Sequence, residues 1–177
     1  SILSPIFPEE TDVAFAPRGL LRGTKVLTPV GLRAVEELKA GDMVTCCKGD
    51  PVVIRSNERA MVLRPGLRVV CVTGAARGRD RTAPPLLLPV DQLIVVAGDR
   101  LAAYFGVEEA LAPVGALVNG EDLQLVDAPA ADMWFDLQTV EPCALVVEGL
   151  HVAVGDAARE CRPALSREEA RLLSLAA

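Results

Sequence analysis

The sequence predicts a mostly β fold with one helix at its C-terminal end. Apolar residues make up 51% of the chain but aromatic residues only 3%, so the core must be built from Val, Leu, Ile and Ala. Val and Ile are branched at Cβ, which restricts their rotamers and suits pleated sheets. The 13 prolines and 14 glycines divide the 177 residues into short segments. Such punctuation favours strands and turns over long helices.

The first predicted elements form a hairpin. Residues 25–29 are an extended run, Val30-Gly31 supplies the turn, and residues 32–35 return beside it. One helical turn is expected over residues 36–40, ended by the following glycine, and a strand over residues 42–46.

Alternating apolar residues and β-branched content predict ten further strands. They cover residues 52–55, 60–63, 67–72, 86–88, 93–96, 109–112, 122–126, 133–138, 144–147 and 149–154. Asp99 is expected to cap a short helix that runs through Phe105 and ends at Gly106. A further helical turn is expected over residues 114–118.

A closing helix is predicted over about residues 163–176. Ser166 is followed three residues later by Glu169, which is the spacing of a capping box. Leu165 and Ala170 are placed to form the hydrophobic staple around that box. We expect this helix to pack on the sheet.

Charge and hydropathy limit the classes of partner. The formal net charge is −6, which argues against a nucleic-acid partner because such proteins carry a basic face. The arginines at positions 77, 79 and 81 are interpreted as part of a solvated loop. No apolar run approaches the roughly 20 residues that cross a bilayer, so no membrane partner is expected. As given, the chain is expected to be soluble and cytoplasmic, with a secreted context if it belongs to a larger chain.

The five cysteines do not suggest a disulfide framework, because their number is odd. We therefore expect Cys143 and Cys161 to be packing or surface thiols and Cys71 to be a small core residue. Structural zinc needs about four ligands. With one histidine in the chain, neither a metal nor a cofactor is predicted.

Four blocks of sequence resemble the Hint (Hedgehog/intein) superfamily. Gly23-Thr24, followed by Glu36-Glu37-Leu38 and Gly41-Asp42, is similar to its opening block. Residues 104–120, 145–150 and 162–171 are similar, in order, to later blocks of its bacterial branch. The resemblance implies a Hint fold of bent antiparallel hairpins with a C-terminal helix over residues 19–177. Residues 1–18 would then be an N-terminal arm or linker.

The resemblance also implies where catalytic residues would lie. In active relatives a Cys or Ser attacks the preceding carbonyl in an acyl shift, and a histidine protonates the departing nitrogen. These two positions fall on Gly19 and Gln92, neither of which can perform that chemistry. No catalytic residue is therefore assigned. Asp91 and Thr24 are possible neighbours of the vacant positions.

Three functions remain open from the sequence. The first is an inactive Hint domain that acts as a binding or structural module, with an upstream domain of the same polypeptide or another protein as partner. The second is self-cleavage through a relocated nucleophile at Cys46, Cys47 or Cys71. The third is a small-ligand binder, which requires a preformed apolar pocket beside Gln92.

The remaining singular residues have simpler structural interpretations. Asp91 and Gln92 are either a polar pair lining the cleft or a turn between two strands. Asp42 is interpreted as a turn acceptor, His151 as a surface or half-buried strand residue, and Trp134 as a core anchor.

Overall fold

The chain alternates short strands and tight turns from its beginning to its closing helix. The computed structural model describes residues 12–14, 16–77, 84–155 and 162–175. The strands are β1 (Asp12–Ala14), β2 (Leu20–Leu21), β3 (Lys25–Thr28), β4 (Gly31–Ala34), β5 (Met43–Thr45), β6 (Pro51–Val62), β7 (Arg68–Val72), β8 (Leu86–Leu88), β9 (Leu93–Ala97), β10 (Glu109–Pro113), β11 (Leu123–Asp127), β12 (Asp132–Thr139), β13 (Cys143–Val147) and β14 (Leu150–Val154). The helices are α1 (Asp99–Phe105) and α2 (Arg167–Leu175).

Six strands form an antiparallel sheet in the order β10-β9-β14-β13-β3-β4. The predicted first hairpin is confirmed as β3 and β4, with Val26 opposite Arg33. Thr28 closes its turn, because its hydroxyl donates to the Gly31 carbonyl at 2.6 Å and accepts from the Val30 amide at 3.3 Å.

A second sheet is built around the long strand β6. Its order is β1-β6-β12-β2, with β5 also paired to β6. The prediction of two separate strands at residues 52–55 and 60–63 is wrong, since β6 runs unbroken over Pro51–Val62. The polar residues 56–59 break the hydrophobic pattern, but their backbone groups pair with β12 throughout. Sequence alternation reports which side chains are buried, not which backbones are paired.

The third sheet has the order β11-β7-β8. Its central strand β7 pairs antiparallel with both neighbours and matches the prediction to within one residue.

The core is aliphatic, as the composition predicts. Its fully buried members are Val26, Val35, Val44, Val70, Val72, Leu88, Ala110, Ala112, Val114, Leu145, Val147, Val152 and Ala170. Trp134 lies in a smaller cluster with Val62 and Val69 and is 1% exposed, so its prediction as a core anchor is confirmed.

The helical turn expected over residues 36–40 is shorter than predicted. A 3-10 turn covers Val35–Glu37, and Leu38 is already extended. Asn57 on β6 donates its side-chain amide to the Val35 carbonyl at 2.9 Å and to the Leu38 carbonyl at 2.7 Å. These bonds and the Gly41 amide's bond to the Ile54 carbonyl replace those of a continued helix.

Helix α1 has the predicted end but a different beginning. Gly106 caps its C-terminus at φ 68°, in the left-handed region that glycine adopts without strain. The N-cap is Gly98 and not Asp99, and no side chain caps the helix there. Asp99 is instead the first helical residue, where its carboxylate faces the positive end of the helix dipole.

The predicted capping box of α2 is confirmed. The Ser166 amide donates to Glu169 Oε1 at 2.9 Å, and the Glu169 amide donates to Ser166 Oγ at 3.1 Å. Leu165 and Ala170 are both buried, and Arg171 donates to the Val118 carbonyl at 3.1 Å. The helix is thus attached to the turn that follows β10.

A disulfide corrects the interpretation of two cysteines. Cys46, directly after β5, is bonded to Cys143 at the start of β13, with their Cα atoms 5.8 Å apart. An isolated antiparallel β-bridge pairs the backbones of Cys46 and Leu145, and the Cys47 amide donates to the Ala144 carbonyl. These backbone contacts hold the segment after β5 against β13. An odd number of cysteines argues against a framework but does not exclude one bridge.

Two other cysteines in the described part of the chain are free. Cys47 is half-buried, with its Sγ 3.4 Å from Nη2 of Arg162. Cys71 is half-buried in β7, whereas the prediction placed it in the core. Cys161 lies outside the described residues. No helix in the described ranges is long and apolar enough to cross a membrane.

Candidate functional site

A cleft of about 620 Å³ opens where the arm meets the sheets. Residues 16–18 of the arm form one part of its lining, and the turn between β8 and β9 forms another. Strand β12 and the end of β14 supply further parts of the lining, and Gly19, Leu67, Arg68, Leu93 and Leu111 complete it. Most of the lining side chains are aliphatic, and a few polar groups face the same space.

Gly19 lines this cleft in a conformation that only glycine fits well. Its φ is +82°, and a Cβ atom at this position would collide with the Phe135 carbonyl oxygen and lie 2.8 Å from the Asp136 Cα. Strand β2 follows directly and pairs with β12, with Leu20 opposite Phe135. The backbone of β12 therefore occupies the space in which a side chain at position 19 would begin.

Gln92, which directly precedes β9, lines the same cleft. Its Nε2 donates to the Leu93 and Ala153 carbonyls, at 3.0 Å each. These two bonds use both amide hydrogens and connect the turn before β9 to β14. The two positions that the sequence pointed to thus meet at one cleft, and Gln92 is engaged there in structural bonds.

Asp91 fits both of its sequence interpretations. It lies in the turn between β8 and β9 and also lines the cleft. Its side chain is 86% exposed and forms an ion pair of 3.7 Å with Arg167. Thr24 is buried outside the cleft lining, and its amide donates to the Leu21 carbonyl. Of the two possible neighbours, Asp91 alone borders the cleft.

Sequence reasoning missed a polar group on β12. Asp136 and Gln138 face the cleft from alternate positions of the strand, with Gln138 Nε2 donating to Asp136 Oδ1 at 2.7 Å. Gln138 Oε1 accepts from the Gly155 amide at 3.2 Å. Arg18 of the arm approaches Asp136 Oδ2 at 4.0 Å. The period-two spacing of these two polar residues among the apolar residues Met133, Phe135 and Leu137 was the available signal.

Other reactive side chains lie elsewhere. Within the described ranges, no cysteine, histidine, serine or threonine contributes to the cleft lining. His151 is exposed on β14, opposite Val146, as its strand interpretation predicts. Asp42 accepts from the Lys39 amide at 3.0 Å, in its predicted role in a turn. No three acidic, histidine or cysteine side chains among these residues cluster as metal ligands would.

Comparison with known proteins gives the chain a family context. A family model described as the Hint domain matches residues 18–153. No curated protein matches the chain significantly.

Solved structures share the architecture at low sequence identity. The solution structure of a bacterial intein-like domain from Clostridium thermocellum is 16% identical, with a TM-score of 0.52. The match covers 78% of this chain and 99% of that one. The crystal structure of the MchDnaB-1 intein is 12% identical, covering 77% of this chain and 99% of that one with a TM-score of 0.49. The first of these supports the fold.

Proposed function

This chain belongs to the Hint-domain family, and we propose that it is a member without self-cleavage whose cleft serves as a binding site. The observation that carries the proposal is the packing of Gly19. The family's chemistry begins with a side chain at this position. Here the position has no side chain, and the Phe135 carbonyl fills the place where one would start.

Each step of the family's reaction lacks its group. The acyl shift needs a hydroxyl or thiol that reaches the preceding carbonyl, and Gly19 has neither. Protonation of the departing nitrogen needs an acid that exchanges its proton near neutral pH. The amide of Gln92 is not such an acid, and its Nε2 already donates to two backbone carbonyls.

The positions of the cysteines weigh against a relocated nucleophile. Cys46 is held in the disulfide with Cys143, and Cys47 and Cys71 lie outside the cleft lining. A thiol must reach the scissile carbonyl to replace the family's nucleophile. This arrangement supports the binding module over active autoprocessing.

The cleft itself supports a binding role. At about 620 Å³ it falls within the range of sites that hold small molecules or short peptide segments. Aliphatic walls with a few oriented polar groups, such as Asp136 and Gln138, are the usual composition of such sites. The proposed partner is a segment of an upstream domain or of another protein.

Intact-mass measurement tests the loss of self-cleavage. The chain with residues 1–18 is incubated at neutral pH in three samples: alone, with dithiothreitol and with hydroxylamine. These reagents cleave any thioester or ester that forms. We expect one unchanged mass, apart from reduction of the disulfide by dithiothreitol, because no side chain at position 19 can form the ester.

The control is a self-cleaving intein treated in parallel, which must yield fragments under the same conditions. Fragments of this chain with a boundary between Arg18 and Gly19 would refute the proposal. If cleavage then stopped in Cys47→Ala or Cys71→Ala, the relocated nucleophile would be identified.

A further inference from the structure

We propose that the cleft recognises an arginine side chain of an extended peptide, with Asp136 as the counter-charge. The inference rests on the proposed binding role and specifies its ligand class. The chain's own arm supplies the internal example of such a ligand, because Arg18 lies beside that carboxylate.

Asp136 is oriented to receive a cation from the cleft. Its Oδ1 accepts from Gln138 Nε2 at 2.7 Å, and Gln138 is fixed in turn by the Gly155 amide at 3.2 Å. This chain of bonds fixes the rotamer of the carboxylate and directs Oδ2 toward Arg18. A carboxylate with one oxygen held and the other available suits a guanidinium, which presents several N–H donors in a fixed geometry.

The charges that border the cleft differ in their pairing. Arg68 pairs with Asp127 at 3.3 Å, and Asp91 pairs with Arg167 at 3.7 Å. Both partners lie outside the cleft lining. Asp136, in contrast, is approached by an arginine that itself lines the cleft.

The contact between Arg18 and Asp136 is one that a ligand could replace. The distance is 4.0 Å, and the Arg18 side chain is 81% exposed while that of Asp136 is 31% exposed. Exposed pairs of this kind contribute little to stability, since solvent screens them and ordering a long side chain costs entropy. A ligand arginine that also buried its methylene groups would compete favourably with Arg18 for Asp136.

The walls of the cleft offer that burial. Val90, Leu93 and Val154, all half-buried, contribute aliphatic surface to the lining. Arginine places its methylene groups on such surface while its guanidinium reaches a polar partner. This combination favours a long cationic side chain over a compact cation or a purely apolar one.

The course of the arm indicates a peptide as the carrier. Strand β1 pairs in parallel with β6, with Asp12 opposite Ala60, and residues 16–18 then follow the cleft. A peptide backbone thus already reaches the site with an arginine at its edge. A partner segment that follows the same path would present its own arginine to Asp136.

The test is titration calorimetry of the full chain with the peptide acetyl-Ala-Pro-Arg-amide, which copies residues 16–18. We expect binding that weakens with salt and is lost when citrulline, which is neutral and of similar shape, replaces arginine. Asp136→Asn should weaken binding about tenfold or more, since it removes the charge but keeps the acceptor for Gln138. Arg18→Ala should strengthen binding roughly two- to fivefold, because it removes the internal competitor.

A second arginine–aspartate pair between the loop after β2 and β12 supplies matched controls. Arg22 and Asp132 are 3.5 Å apart, with side chains 62% and 29% exposed, and neither lines the cleft. Arg22→Ala and Asp132→Asn should leave the affinity unchanged.

Equal affinity for the citrulline peptide, or an unchanged affinity in Asp136→Asn, would overturn the inference. Agmatine binding as tightly as the peptide would overturn the peptide as carrier, because agmatine has the guanidinium and stem without the backbone. Intact mass, measured on the same samples, reports separately on self-cleavage, so failure of this inference is distinguishable from failure of the proposed absence of self-cleavage.

Discussion

Gly19 shows that a position can require glycine because there is no room for a side chain. Its left-handed φ disfavours a side chain, the nearby Phe135 carbonyl leaves no room for one, and the two costs are separable. Gly23 has a similar φ of +91°, but no atom lies within 4 Å of the point that a Cβ would occupy there. The two glycines therefore differ chiefly in the space around them.

Gly19→Ala should destabilise the fold by about 2–4 kcal/mol, through backbone strain and the collision with β12. Gly23→Ala, which carries only the strain, should cost about 1 kcal/mol. Urea unfolding of the two variants beside the parent chain measures both values. Equal losses would show that β12 does not restrict position 19.

The sequence located Gly19 and Gln92 as the two positions of interest, but not the reasons for their identities. The resemblance aligned each with a missing catalytic group. The contact of Gly19 with Phe135 and the bonds from Gln92 to β14 join residues distant in sequence. Local patterns do not report such contacts.

At the scale of elements, the sequence correctly predicted the structures whose hydrogen bonds join residues close together in the chain. The β3–β4 hairpin and the capping box of α2 depend on neighbours within a few residues, and both were predicted. Strand β6 and the turn at Val35–Glu37 depend on partners elsewhere in the chain, and both were predicted with the wrong extent. The difference lies in where the backbone hydrogen bonds go.

Helix α2 permits a direct measure of its cap. Ser166→Ala removes the acceptor of the Glu169 amide and should cost about 1 kcal/mol. In a chain of this size that corresponds to a fall in Tm of roughly 2–4 °C. Thermal unfolding followed by circular dichroism measures it.

Glu168→Ala is the matched control, since Glu168 lies in the same first turn but makes neither bond of the box. It should shift Tm less than Ser166→Ala. If both variants behaved alike, general first-turn charge and not the cap would account for the stability.

At the scale of the molecule, the disulfide joins parts of the chain that lie 97 residues apart. Cys46 follows the strand that pairs with β6, while Cys143 begins a strand of the six-stranded sheet. The bridge therefore ties two sheets together. Its pairing depends on how those sheets assemble, which explains why cysteine spacing could not reveal it.

Reduction of this bridge should lower stability by about 2–4 kcal/mol, because it restores conformational freedom to a long loop of the unfolded chain. Thermal unfolding with and without a phosphine reductant measures the effect. Cys47→Ala should retain the sensitivity to reductant, and the double variant Cys46→Ala, Cys143→Ala should lose it. A parent chain whose Tm is the same with and without the reductant would contradict the Cys46–Cys143 disulfide.

The approach of the Phe135 carbonyl to Gly19 also has an evolutionary consequence. A lineage that loses a nucleophile by one codon change can ordinarily regain it by the reverse change. In this chain a side chain introduced at position 19 would meet the backbone of a neighbouring strand and lower stability, and position 92 would still be glutamine. The first substitution would lower stability, and self-cleavage would return only after further substitutions. Under the proposed absence of self-cleavage, the packing around Gly19 would therefore make that chemistry hard to regain.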